Sequence, residues 1–357
     1  MRFRTMTGSV LASMLTTAGI LAAATPASAA GVVSGGVTPL PLTSYADMQV
    51  NGARNEVYLA GGDRIAVVDQ AGSVRRTFDG QTGVSGLALS TDGSLLYAGL
   101  NGAHTISVID TKKGREVKRY DVGAACPGDV ALAVGKLWFS SACAMDFSSA
   151  SVRALDLTTG VVTTHATGLP AVQGVPLLAV AEREGWGVTL LVAGRDLSGS
   201  QLRKYDITTG EPDPMCWGPG PCQIAVPNIV QDIAVTADGA NLVIATGAQY
   251  HTLMSVFGLS VVRTYPTGPY PTSVGVATNG QLALGSGSPS GYDNDLYGYD
   301  ETGDQPTWTY DFGMRETAYN DLAPRGLGWS ADDTRLYAVV TDNDGSDPVL
   351  HTLVPTV

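Results

Sequence analysis

Three aspartates, Asp47, Asp129 and Asp232, each stand six residues ahead of a polar turn, and Arg325 stands beside the matching place near the C-terminus. If those segments run side by side round one axis, the level they share reads Asp47, Gly86, Asp129, Leu177, Asp232, Ser273 and Gly326. Three carboxylates converging on an axis would suit a divalent cation or a cationic ligand. The competing role, which the sequence favours, is to accept backbone N–H groups and lock neighbouring units together. A second oxygen-rich run, Thr341-Asp342-Asn-Asp344-Gly-Ser-Asp347, has the alternating ligands and sharp-turn glycine of a calcium loop. It makes Asp342, Asp344 and Asp347 candidate metal ligands, although the glutamate an EF-hand places at its twelfth position is missing.

Other chemistry is not signalled. There is no G-x-S-x-G elbow, no H-E-x-x-H, no P-loop and no dinucleotide fingerprint. The four histidines, His104, His165, His251 and His351, fall in different units with no shared register, and only His251 is expected near the candidate site. A hydrolase or lyase would have to draw its base from Asp47, Asp129, Asp232 or His251. No catalytic residue is assigned. A lactonase- or lyase-like activity, with or without a divalent cation, is the alternative to a binding role.

The elements that must position these residues announce themselves through turns. Asp110-Thr-Lys-Lys-Gly114, Asp156-Leu-Thr-Thr-Gly160 and Asp206-Ile-Thr-Thr-Gly210 recur, with shorter copies at Asp69-Gln-Ala-Gly72 and Asp300-Glu-Thr-Gly303. A second turn lies upstream in most units, at Thr91-Asp-Gly93, Ala237-Asp-Gly239, Thr278-Asn-Gly280 and Ala331-Asp-Asp333. The aspartate accepts an N–H two residues on, and glycine takes the positive φ of the reversal. Units of about forty residues with two such turns and four short strand-like runs predict a β-propeller. Inner strands are expected to begin near Tyr45, Val84, Gly128, Pro176, Val230, Thr272 and Arg325. The reading is therefore all-β, a seven-bladed β-propeller of four-stranded antiparallel blades with period-two alternation in the strands. The last unit lacks a fourth strand. The segment from Gly35 to Leu42 is expected to fill it, since Pro39 and Pro41 are tolerable only on an outermost strand.

Within the repeats, Asn55-Glu-Val-Tyr58-Leu-Ala, Ser94-Leu-Leu-Tyr97-Ala-Gly and Thr334-Arg-Leu-Tyr337-Ala-Val resemble the Tyr-Val-Thr-Asn core of the YVTN-repeat propellers, a WD40-like family. Ser90-Thr-Asp-Gly93 and Val108-Ile-Asp110 match the turns that flank that core. The resemblance covers nearly the whole chain after the leader and implies the fold; its exported members look like binding or surface proteins. Units three to six depart from the pattern, with longer loops and no tyrosine in the second strand. A true WD repeat is not matched, because Val68, Ile109, Leu155, Tyr205 and Tyr299 precede the aspartates.

Arg2 and Arg4, an apolar run over 10–24 and Ala27-Ser-Ala29 read as a secretory signal peptide over 1–29, leaving 30–357 as a single propeller domain. The apolar run is too short for a membrane span. The expected location is extracellular, or periplasmic where a second membrane exists. Four cysteines in an exported chain predict disulfides, with Cys126–Cys143 and Cys216–Cys222 the local pairing. A net charge of −12 with no Lys/Arg cluster argues against nucleic acid as a partner. The partner is expected to be a protein, a glycan or a small molecule.

Strand direction places the short turns on one face. The long connections 142–150, 194–200, 212–228, 285–295, 313–324 and 341–347 fall on the other. Loops on a rigid scaffold carry binding residues, so the long-loop face is the expected site. Its candidates are Asp146, Phe147, Arg195, Asp196, Trp217, Tyr250, Tyr270, Tyr292, Arg315 and Tyr319, added to Asp47, Asp129, Asp232 and Arg325.

Overall fold

A computed structural model describes residues 31–143, 150–169, 174–196, 199–214, 222–287, 294–313, 321–342 and 345–356. The expected leader lies outside them. Each turn closes as its chemistry dictates: Asp156 Oδ1 accepts the N–H groups of Thr158 and Thr159 at 2.9 and 2.8 Å. Gly160 follows with φ +77. Asp69 does the same for Ala71 and Ser73, both at 2.9 Å. These reversals fold the chain into seven antiparallel sheets in a ring, one blade each. The first blade comprises Asp47–Asn51, Glu56–Gly61, Arg64–Asp69 and Val74–Asp79. The inner strands of the next six begin at Val84, Pro127, Leu177, Val230, Pro271 and Asp321.

The ring closes through the first strand of the chain. Val32–Pro39 pairs antiparallel with Val349–Pro355, from Val32 opposite Pro355 to Pro39 opposite Val349. Pairing therefore starts and stops three residues earlier than the expected Gly35–Leu42. The reason is hydrophobic: Leu40 and Leu42 turn inward and are buried with Leu59, Val339 and Leu350 between the seventh and first blades. Pro39 remains the last paired residue, and Pro41 has no N–H to lose.

Two further differences follow from packing. Most strands of a blade's interior do not alternate, because blades on both sides cover them; Leu336–Thr341 is buried at every position. Alternation is kept in Ser200–Asp206, the third strand of the fourth blade, and in part on outer strands such as Arg115–Asp121. In the fourth blade the outer place is shared by two pieces, Asp213–Pro214 and Gln223–Val226, both paired with Ser200–Asp206.

No single core exists. Seven apolar clusters each fill one wedge between adjacent blades, as where Tyr58, Ile65 and Phe78 of the first blade meet Val84, Leu87 and Leu96 of the second. The tyrosines Tyr58, Tyr97 and Tyr337 of the repeat lie buried in these wedges, and Trp138 takes the same place in the third blade. Burying such rings is worth about 1.5–3 kcal/mol each. Cys126 and Cys143 form a disulfide with their Cα atoms 5.1 Å apart. Cys222 is also disulfide-bonded; Cys216, its expected partner, lies outside the described residues.

Candidate functional site

The inner strands bend where they reach the long-loop face. Register shifts fall between Val84 and Gly86, Pro127 and Val130, Val230 and Asp232, Pro271 and Ser273, and Leu322 and Leu327. A bulge frees one residue from the ladder and re-aims its side chain. Asp129 and Asp232 sit at such bulges, and together with Asp47 they are buried on the axis, at 1%, 5% and 2% exposure.

Each aspartate joins two blades. Asp47 Oδ1 accepts the N–H of Met48 at 2.8 Å, and its Oδ2 accepts that of Leu87 in the next blade at 2.7 Å. Asp129 takes Val130 at 2.9 Å and Leu178 at 2.7 Å. Asp232 takes both Ile233 and Val274 at 2.8 Å. The carboxylates thus tie blade one to two, three to four and five to six. The even blades carry small or apolar residues at this level. At Gly86 the reason is contact: a Cβ there would lie 2.6 Å from the carbonyl oxygen of Gly128.

The seventh blade contributes the cation. Arg325 Nη2 lies 2.9 Å from Asp47 Oδ2 and 2.7 Å from Asp129 Oδ1. Its backbone is held at φ +61, left-handed for a residue with a side chain, inside the wide bulge between Leu322 and Leu327. Two neighbours enforce that conformation. Tyr45 donates its hydroxyl to the Arg325 carbonyl at 2.7 Å. Gly326 passes so close to Ala323 that a Cβ would stand 2.6 Å from its oxygen. The space between the carboxylates, where sequence suggested a bound cation, is filled by the protein's own guanidinium. This is strain held at one point to aim one side chain.

Electrostatics follow from burial. Asp47 is pushed up to about 7, chiefly by burial, against the pull of Arg325. Asp232 is pushed up to about 6, also by burial, with Arg325 and the Val274 and Ile233 N–H groups opposing. Arg325 is held above its ordinary value: the surrounding aspartates outweigh the opposing effect of burial.

Above this floor opens a cavity of about 500 Å³. Its wall includes Tyr45, Asn101, Ala142, Cys143, Gly174, Val175, Arg195, Gln231, Pro324, Arg325 and Thr341, all on the long-loop face. Arg195 is pushed down to about 10 by burial and then by Arg325, and so remains charged at neutral pH. Among the other candidates, Tyr250 and Tyr270 are exposed but do not line this cavity. Asp196 is buried below the surface. Asp146, Phe147, Trp217, Tyr292, Arg315, Tyr319 and Asp344 lie outside the described residues. Asp342 accepts the Gly345 N–H at its carbonyl, closing a turn, and Asp347 is exposed. The one cluster of three potential metal ligands among the described residues is His104, Cys126 and Cys143, where the two sulfurs are bonded to each other. Sequence reasoning missed Gly174, where a Cβ would stand 2.8 Å from Arg195 Nη1, a close approach that spacing does not encode.

His251 is fully buried in the fifth blade, 2.8 Å from Thr267 Oγ1 and 3.2 Å from the Ser273 carbonyl. The carbonyl can only accept, so Nε2 carries the proton and Nδ1 accepts from the threonine. Burial pushes its pKa down to about 3. The lowered value means stability present above the free value is lost as pH falls from 6.5 toward 3. Asp47 and Asp232, with raised values, contribute the opposite slope: stability is greatest below about 4 and declines as pH rises to about 7. In the wild type these slopes oppose one another. His251→Gln is expected to remove the first and leave urea stability rising as pH falls from 7 to 4, a slope change of up to about 1.4 kcal/mol per pH unit. Identical slopes for variant and wild type would disprove it.

The chain matches no family model and no curated protein. Among the described residues, no helix is long and apolar enough to cross a membrane.

Proposed function

We propose that this chain is an exported propeller of the YVTN-repeat type that binds a small ligand in the cavity at its channel mouth. The observation that carries the reading is the cavity itself, a concave site of about 500 Å³ over the axis on the long-loop face. That volume lies within the range of sites for drug-sized molecules. A flat aromatic face would instead have favoured a protein partner. Export is supported by the leader-like first residues and by cysteines held as disulfides, which persist in oxidising compartments.

Binding is preferred to catalysis because the channel carboxylates are occupied. Both oxygens of each take a backbone N–H, and Asp47 and Asp129 also face Arg325. A general base must reach its substrate, and these three buried carboxylates contribute no surface to the cavity. The test is a thermal-shift screen of small molecules against the wild type and Val175→Trp, which fills the cavity with a large side chain. Ligands that raise the melting temperature of the wild type and not of the variant support the reading. Hits that stabilise both equally place binding elsewhere and defeat it.

A further inference from the structure

The cavity wall and the floor beneath it carry opposite chemistry. Asp47, Asp129 and Asp232 are buried and contribute no surface to the cavity, whereas the charged side chains that line it are Arg195 and Arg325. Among the described residues, a molecule entering the site meets guanidinium groups and not carboxylates. This reverses the polarity that three converging aspartates suggest from sequence.

The two arginines are not equivalent. Arg325 is balanced by Asp47 and Asp129. Among the described residues, Arg195 donates hydrogen bonds only to neutral acceptors: its Nε to the Val230 carbonyl at 3.1 Å and its Nη2 to Gln231 Oε1 at 3.0 Å. Those bonds fix the plane of the guanidinium and leave Nη1 without a hydrogen-bond acceptor among the described residues. Space beside Nη1 is kept by Gly174, where a Cβ would stand 2.8 Å from that nitrogen and where φ is +137. A side chain at 174 would press on the donor. A planar, pre-positioned guanidinium with a free edge is suited to a carboxylate.

The rest of the wall limits what the carboxylate can be attached to. Ala46, Val175, Leu177, Ala323 and Pro324 give an aliphatic surface, and the Tyr45 hydroxyl is already donated to Arg325. Ser85, Asn101 and Gln231 also line the wall, but each is already hydrogen-bonded within the protein, so a sugar would have to share donors and acceptors that are in use. A phosphate dianion would bring a second negative charge over three buried aspartates with one free guanidinium edge to receive it. We propose that the cavity binds a small organic monocarboxylate, its charge on Arg195 and its apolar body against this aliphatic wall. The proposal rests on the cavity being the ligand site.

The experiment compares 3-phenylpropionate with its uncharged isostere 3-phenylpropionamide by calorimetric titration of the full chain at pH 7. The acid is expected to bind at least tenfold more tightly than the amide. Arg195→Met is expected to abolish that preference while leaving the amide's affinity within about twofold. Equal affinities for acid and amide in the wild type, both lost in Val175→Trp, would overturn the anion assignment and leave the cavity standing as a binding site. Acid binding that persists in Val175→Trp would overturn both. No binding of either probe at 10 mM (about the weakest affinity such a titration reads) would overturn the monocarboxylate. If Arg195→Met does not fold, the acid–amide ratio in the wild type and in Val175→Trp decides alone.

Discussion

Arg325→Met is expected to lower unfolding stability by about 3–5 kcal/mol, the usual cost of removing one partner from a buried ion pair. The wild-type guanidinium lies within 3 Å of both Asp47 and Asp129. Methionine has similar length and the same cost at φ +61, so the difference reports charge and not backbone strain. The pH dependence distinguishes this cause from a packing defect. Without the cation, Asp47 and Asp232, already raised above their unfolded value by burial, rise further. Acid should then restore stability, because a raised folded pKa gives stability that is full below about 4 and lost as pH rises. Urea unfolding at pH 7.5 and pH 5 measures both quantities. A loss under 1 kcal/mol, or no recovery in acid, would mean that the channel aspartates do not depend on Arg325.

Asp129→Ala should cost at least as much, about 5 kcal/mol, because it removes a charge and two acceptors at once. The buried N–H groups of Val130 and Leu178 lose their partner, and Arg325 loses its shortest contact. The damage should be local as well as global. Amide hydrogen exchange is expected to accelerate at Val130 and Leu178, across the joint of the third and fourth blades, more than at Met48 and Leu87, where Asp47 still bridges. Uniform acceleration round the ring would show that the carboxylate does not act as a joint between two particular blades. Asp92, at a fully exposed turn, is the control: its replacement should leave the ring's exchange pattern unchanged.

Much of the ring was legible because its turns are local chemistry. An aspartate two residues ahead of the N–H it accepts, with glycine closing the reversal, depends on nothing distant, and it repeats. The level of Asp47, Asp129 and Asp232 could be found by counting back from those turns for the same reason. Counting put Arg325 beside that level, with Gly326 as the seventh blade's residue in it. Arg325 entered the level only because a bulge from Ala323 to Gly326 displaced the register and turned the residue inward. Strand periodicity also misled, since blades covered on both faces read as unbroken apolar runs. The split outer strand of the fourth blade had no sequence signal, as the interruption lies in a long connection. The cavity was the least legible feature. Its wall joins residues from every blade but the sixth among the described residues, and the open edge of Arg195 depends on how closely Gly174 passes.

The pairing of Val32 with Pro355 has a practical corollary. Head and tail of the described chain leave the molecule together at the circumference, where the Thr356 N–H meets the Gly31 carbonyl at 2.8 Å. Anything grafted onto either end, such as a tether to a solid support, would radiate outward from one spoke and leave the hub uncovered. The same arrangement makes assembly all-or-none. The leading strand has no mate until the final residues are made, so a product shortened at its tail would keep a raw edge that invites another copy to complete it.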